Sequence, residues 1–251
     1  MNLKAAAEVT VMVTRSGKPG EQLSNLLKDE GYQSYFTPTL RIIKESVLIP
    51  AEDFQQAIFV SQNAVKYSVE RSQLVKDLLP TQLIAVGEGT AARLQKNGFD
   101  NVIIPESSNT EGLLELSSLQ LIQGQQILLI KGRGGRELLE NKLTERGAIC
   151  YPLEVYSRVT EVIDETNWHE FTKKRLLNII TLASVEALEA LKPKLLDERV
   201  AELITLVVAS ERIAKQAAQY SVKDIHVVGS ATNQAVIVTI NNLVNASAEC
   251  Y

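Results

Sequence analysis

The chain is poor in the residues that staple or metallate small folds. Two cysteines, Cys150 and Cys250, occur in 251 residues, far apart and without CxxC spacing, which argues against a disulfide framework and against a cysteine-based zinc site. The two histidines, His169 and His226, have no ligand-type residues at coordinating spacing. A histidine metal centre and a Ser-His-Asp triad are therefore not expected. No apolar run approaches the roughly 18 residues of a membrane span. Met1 to Thr10 also lacks the apolar stretch and small-residue cleavage site of an export signal, so the expected compartment is the reducing cytoplasm. Nor is there an excess of positive charge: 26 Lys and Arg face 30 Asp and Glu, a net charge of −4, opposite to the footprint of a nucleic-acid binder. Any polyanionic ligand would need a local basic pocket. Gly/Ser-rich linkers and low-complexity tracts are absent as well.

What is present is an ordinary globular composition, 45% hydrophobic and 22% charged, with a length that suits about two domains. Short apolar, β-rich runs recur at Val9 to Val13, Ile58 to Val60, Leu83 to Val86, Val102 to Ile104, Ile127 to Ile130, Ile179 to Leu182, Leu206 to Val208 and Ile225 to Val228. Continuous apolar runs are what strands covered on both faces require. Between them lie helix-like stretches, among them Gly20 to Glu30, Glu88 to Lys96, Glu137 to Arg146 and Glu211 to Tyr220, with apolar residues three and four apart. The alternation predicts an α/β fold with parallel sheets flanked by helices.

The second half of the chain echoes the first. Leu27 to Gly31 resembles Leu143 to Gly147, the run ending at Ser61 resembles that ending at Ser184, Ala85 to Glu88 resembles Val208 to Glu211, and Val102 matches Ile225. The last three pairs keep one constant separation, which predicts two similar α/β units. Two longer segments, Ser34 to Ile42 and Ala148 to Arg158, each hold a proline and interspersed polar residues at equivalent places in the repeats. Edge strands or strands crossing between domains would both tolerate such prolines.

Ligands of open parallel sheets sit beyond the carboxyl ends of the strands. The loops there carry Arg15, Ser61, Gly87, Thr90, Lys131, Gly132, Arg133, Arg136, Ser184 and Ser210. Helix N-termini expose unpaired N–H groups and a partial positive charge, so such a rim suits a ligand with several carboxylates or phosphates. Lys131-Gly-Arg-Gly-Gly-Arg136 concentrates three cations and three glycines in six residues. It is neither the dinucleotide fingerprint, whose third glycine would fall at Glu137, nor a phosphate-binding G-K-[ST] loop. Ser61, Ser184 and Ser210 also stand where helix N-caps are expected, and capping leaves a ligand contact open. Thr90 could be a packing threonine. Tyr156, in a strand-like segment, could pack amphipathically or donate a proton, since a phenol with a pKa of about 10 is protonated at neutral pH.

The ordered set Val11-Met-Val-Thr-Arg15, Ile58-Phe-Val-Ser-Gln-Asn-Ala-Val65, Ala85-Val-Gly-Glu-Gly-Thr-Ala91, Thr110-Glu-Gly-Leu-Leu114, Leu129 to Leu139, Val155-Tyr-Ser-Arg158 and Val208-Ala-Ser-Glu-Arg212 resembles the uroporphyrinogen-III synthase family. The resemblance implies a cofactor-free, metal-free cytoplasmic lyase of haem biosynthesis. Its reaction would convert the linear tetrapyrrole hydroxymethylbilane into uroporphyrinogen III with inversion of ring D and loss of water. It also implies two α/β domains, 1–37 with 160–251 and 38–159, joined by a two-stranded β-ladder that the two proline-containing segments would form. On the same basis Tyr156 would assist loss of the hydroxyl and Thr90 would contact substrate. Arg15, Ser61, Gly87, Lys131, Gly132, Arg133, Arg136, Ser184 and Ser210 would receive the acetate and propionate groups. Ile213 stands where the family often has a threonine, so no hydroxyl role transfers there. The family also implies a monomer with a small-molecule substrate, neither nucleic acid nor membrane as partner, and transient contact with the preceding pathway enzyme. Closure of the domains over substrate is expected too. The alternative class is a non-catalytic two-domain binder of a polycarboxylate or other anionic ligand.

Overall fold

The structure is a computed structural model of the chain, described for residues 7–48, 50–70, 79–134, 137–173, 176–222, 224–229 and 232–248. In chain order the elements are β1 (Val9–Val13), α1 (Gly17–Asp29), β2 (Gln33–Phe36), β3 (Leu40–Lys44), β4 (Gln56–Phe59), α2 (Gln62–Val65, continued by a π-helical turn at Lys66–Glu70), β5 (Gln82–Ala85), α3 (Glu88–Lys96), β6 (Val102–Ile103) and α4 (Thr110–Glu115). There follow β7 (Gln126–Gly132), α5 (Leu138–Glu145), β8 (Ile149–Thr160), α6 (Glu165–Phe171), β9 (Leu177–Leu182), α7 (Val185–Leu195), α8 (Glu198–Ala201), β10 (Ile204–Val208), α9 (Glu211–Ala217), β11 (Asp224–Val227) and α10 (Asn233–Ala248).

The chain divides into two compact units, Met1–Arg41 with Val159–Tyr251 and Ile42–Arg158. The first holds a parallel sheet in the order β11-β10-β9-β1-β2. Side chains alternate across a strand, and β1 shows why every one of its residues is apolar or a buried threonine. Val9, Val11 and Val13 pack with Leu23 and Leu27 of α1 and Ile237, Ile240 and Val244 of α10. Met12 points the other way, to a core closed by Trp168 and Phe171 of α6, Leu188 and Leu191 of α7 and Ile213 of α9. Both faces are covered, as the unbroken apolar runs predict.

The second unit repeats the plan on the sheet β3-β8-β7-β4-β5-β6, parallel from β8 through β6. One face packs Ala57, Phe59, Leu128 and Ile130 against Ala64 and Val65 of α2 and Ala91 and Leu94 of α3. The other packs Ile58, Ile84, Ile127 and Leu129 against Leu113 of α4 and Leu139 and Leu143 of α5. A half-buried ion pair, Arg93 Nε to Glu70 Oε1 at 2.6 Å with a second bond from Nη2 to Oε2 at 2.9 Å, ties the π-helical turn to α3. The fork geometry holds the Glu70 carboxyl below its usual pKa, chiefly through the hydrogen bond from Arg93.

The two proline-containing segments differ from each other in outcome. Ala148 to Arg158 is one long strand, β8. Its Ile149 N–H bonds to the Gln125 carbonyl on the β7 side, so Cys150 and Pro152, which precede the register shift near Gly132, turn their nitrogens away from β7. There a missing donor costs no ladder bond. Ser34 to Ile42 is instead two strands: Pro38 separates β2, which pairs with β1, from β3, which neighbours β8. Glu45 N–H bonds to the Val155 carbonyl and Glu161 N–H to the Thr39 carbonyl. Numbers rise along one strand as they fall along the other, so β3 and β8 run antiparallel. These two strands also contain the boundaries between the two units, at Arg41/Ile42 and Arg158/Val159.

Candidate active site

In the second unit the carboxyl ends of β4, β5 and β7 carry most of the residues singled out in the sequence, and β8 supplies Tyr156. Consecutive residues of a regular strand point to opposite faces, yet Val155 and Tyr156 lie in one core cluster with Leu153, each about 1% exposed. The reason is a register shift: β8 pairs Lys131 with Glu154 but Gly132 with Tyr156, so Val155 is a bulged extra residue. A bulge re-aims the next side chain, and here it turns the Tyr156 ring onto the face that carries α2.

The ring is held closely. Its edge meets the backbone of Gly132, where an added Cβ would stand 2.5 Å from Cε2 and Cζ and 2.9 Å from Oη. Tyr67, in the π-helical turn, lies with its ring centroid 5.9 Å away. The phenolic oxygen shares a hydrogen bond of 3.1 Å with Ser61 Oγ and accepts one of 3.3 Å from Arg158 Nη2. The Arg158 guanidinium carbon stands 5.4 Å from the ring centroid. Ser61 is itself fixed, because as N-cap of α2 its Oγ accepts the Ala64 N–H at 3.0 Å. The Tyr156 hydroxyl thus sits at the margin of a dry core, roofed by a half-buried serine and an exposed arginine.

Gly87 caps α3 and closes on Ser108, whose Oγ would lie 2.4 Å from an added Cβ. Thr90 N–H bonds to the Gly87 carbonyl at 3.0 Å, and its side chain is buried in the first turn of α3. Gly89 lies close enough to the Gln62 amide that a Cβ would meet it at 2.6 Å, so the N-terminal ends of α2 and α3 are neighbours. Asn109, absent from the residues proposed from sequence, caps α4 by accepting the Gly112 N–H at 2.7 Å.

The cationic loop is less bare than its sequence. Along β7, Ile127 and Leu129 face the α5 side, and Lys131 continues that face with its Nζ 3.5 Å from Glu140 of α5. Gly132 continues the opposite face, toward Tyr156. Lys131 and Tyr156 are therefore on different sides of the sheet. Arg133 pairs with Glu45 at 3.3 Å and Glu154 at 3.6 Å, while its N–H bonds to the Tyr156 carbonyl at 2.7 Å. Arg136 lies outside the described residues.

Arg15, Ser184 and Ser210 belong to the first unit and to the ends of β1, β9 and β10. Thr14 Oγ1 donates to the Thr181 carbonyl at 2.6 Å, and the half-buried Arg15 has its pKa lowered by burial. Arg15, Leu23, Thr181, Val207, Asn233 and Val236 line a cavity of about 20 Å³. That is room for about one water, so this cavity does not hold a large ligand. Ser184 caps α7, accepting the Ala187 N–H at 3.2 Å, whereas Ser210, in the same position before α9, makes no side-chain cap bond. Among the described residues, no group of three or more His, Cys, Asp or Glu side chains is placed to hold a metal ion, and no helix is long and apolar enough to cross a membrane.

Arg158 and Tyr67 are the contacts that sequence reasoning did not assign. Arg158 ends the Val155-Tyr-Ser-Arg158 fragment, and its spacing of two from Tyr156 along a strand was the available signal.

Residues 21–237 match the family model described as uroporphyrinogen-III synthase HemD. The uroporphyrinogen-III synthase of Escherichia coli (strain K12) is 29% identical over 245 residues, covering 91% of this chain and 98% of that protein. That of Proteus mirabilis is 34% identical over 161 residues, covering 60% and 81%. Among solved structures, uroporphyrinogen-III synthetase from Helicobacter pylori 26695 has the same fold, with a TM-score of 0.65 at 14% identity over 93% of this chain and 98% of the other. With the family model matched over most of its length, the chain belongs to the uroporphyrinogen-III synthase family.

Proposed function

We propose that this enzyme cyclises hydroxymethylbilane to uroporphyrinogen III, with inversion of ring D and loss of water, and that the hydroxyl pair Tyr156–Ser61 serves the departing hydroxyl. The observation that carries the assignment of residues is the 3.1 Å contact between two fixed hydroxyls beside an arginine at the strand ends of the second unit. Loss of hydroxide from a hydroxymethylpyrrole needs a proton on the leaving oxygen, while the pyrrole nitrogen pushes its electrons toward the carbon left behind. A phenol and a serine hydroxyl in hydrogen-bond contact can deliver that proton and share the charge left behind. The electrophilic azafulvene so formed is attacked by ring D at its substituted carbon, giving a spiro intermediate that fragments and recloses with the ring inverted. Unaided, the bilane closes to the type I isomer, so most of the enzyme's work is holding the substrate in the pose that favours attack at the substituted carbon.

The eight carboxylates of the substrate suit N–H groups at the starts of α2 and α3, around Ser61 and Gly87, together with the Gly132–Arg133 turn at the end of β7. Thr90, buried in the first turn of α3, would shape this rim through packing. Arg133, now paired with Glu45 and Glu154, would exchange those partners for substrate. Lys131 faces Glu140 on the other side of the sheet, and its part in this reading is to brace α5. Arg136, and Arg15, Ser184 and Ser210 of the first unit, are further candidates for the remaining acid groups. The reading includes a cytoplasmic monomer that works without a cofactor.

Kinetics of two variants test the assignment. Tyr156→Phe keeps the ring and removes the proton, and is expected to lower kcat about tenfold or more with residual type III product, the share left by substrate positioning. Ser61→Ala is expected to lower kcat and also to cost about 1 kcal/mol of stability from the lost cap. Wild-type kcat in Tyr156→Phe would remove the phenol from the mechanism.

A further inference from the structure

We infer that Arg158 is a positioning residue for Tyr156: it fixes the phenol's orientation and stabilises the phenolate formed as the proton leaves. The inference rests on the reading of Tyr156 as proton donor. Two contacts support it, the 3.3 Å hydrogen bond from Nη2 to the phenolic oxygen and the placement of the guanidinium 5.4 Å from the ring centroid. The pattern of ion pairing gives it direction. Lys131, Arg133 and Arg93 each face a carboxylate, whereas among the described residues no carboxylate pairs with Arg158. Its charge is therefore not spent on an acid among the described residues, and the group it does touch that can become an anion is Tyr156.

The chemistry balances without any added reagent. As the carbon–oxygen bond of the hydroxymethyl group breaks, the proton passes from Tyr156 to the departing oxygen, directly or through Ser61 with its hydroxyl proton replaced from Tyr156. Water leaves, and the negative charge rests on Tyr156 Oη beside Arg158. A cation within 4 to 6 Å favours the charged form of an acid, so Arg158 strengthens the donor at the moment it is used. When the pyrrole N–H is lost to form the neutral azafulvene, its proton can return to the phenolate. Other groups near the ring act less directly. The Tyr67 hydroxyl is committed to the Ile42 carbonyl at 3.3 Å, and Lys66 lies over the Tyr67 ring, 5.1 Å from its centroid, not over Tyr156. Among the described residues, Ser61 and Arg158 are the two hydrogen-bond partners of the Tyr156 hydroxyl.

The test uses the full chain with ring-carbon-labelled tyrosine, followed by NMR at neutral pH, beside steady-state kinetics on hydroxymethylbilane. Arg158→Gln should shift the ring-carbon resonances of Tyr156, whose hydroxyl loses a hydrogen-bond donor, and lower kcat about three- to tenfold while KM changes less than twofold. Arg158→Lys, which keeps the charge, should recover most of both effects. In a Tyr156→Phe background Arg158→Gln should cost nothing further in kcat. Unmoved Tyr156 resonances in Arg158→Gln overturn the inference. Moved resonances with an unchanged kcat leave Arg158's hold on the phenol standing and remove Tyr156 as the proton donor, so the two ideas fail separately.

Discussion

Gly132 and Tyr156 define each other. The glycine's bare Cα lets the ring lie against the backbone at a distance that a methyl group would invade, and the ring cannot withdraw because Ser61, Tyr67 and the core face of β8 enclose it. Gly132→Ala should therefore cost about 1 to 3 kcal/mol, the usual range for overpacking, and should lower turnover through the displaced hydroxyl. Urea unfolding beside a rate measurement reads both, and wild-type values in each would contradict the packing argument. At this scale the sequence was partly legible. Ser61 and Ser184 stand before helix-like stretches and do cap them, as a serine in that position should. Ser210 looks the same in sequence and makes no such bond, since capping depends on a rotamer the local sequence does not specify. The partners of Lys131 and Arg133 were not legible either. Glu140 lies on the following helix, while Glu45 reaches Arg133 from a distant part of the chain, so a cationic loop in sequence becomes a set of ion pairs in space.

Elements whose residues are apolar on both faces were read well, because burial dictates their composition. β1 spans the same residues as its apolar run and α3 the same residues as its periodic stretch. Ser34 to Ile42 was read as one segment and is two strands, because a half-polar strand next to a proline gives no signal of where pairing changes partner. The β8 bulge left no trace in composition, although it decides where Tyr156 points. One helix contact yields its own pH dependence. After α1, Tyr32 donates to Asn241 Oδ1 on α10, and Asn241 in turn donates to Glu30 at 3.4 Å. Burial, with a smaller contribution from Glu30, raises the Tyr32 pKa from 10.0 to about 12. Because the folded value lies above the unfolded one, this contribution to stability is complete below pH 10 and is lost as pH rises from 10 toward 12. Denaturant unfolding across that window should show the decline for the wild type and a shallower one for Tyr32→Phe; equal slopes would mean that the α1–α10 contact does not carry it.

For the molecule as a whole, the internal echo between the two halves announced two α/β units, since each must lay short buried strands and helices in the same order to close its own sheet. The echo does not show how the chain is shared out, because both of the chain's passages between units run through the polar, proline-containing strands that the apolar pattern describes least well. Net charge was equally uninformative about the ligand, because the contacts proposed for an eight-carboxylate substrate are a handful of residues and N–H groups at strand ends. The most direct measurement of the account is to give the purified protein hydroxymethylbilane at neutral pH and to separate the oxidised products by chromatography. Uroporphyrin III well above the no-enzyme control is the result the account predicts. Type I isomer alone, formed at the spontaneous rate, would contradict it.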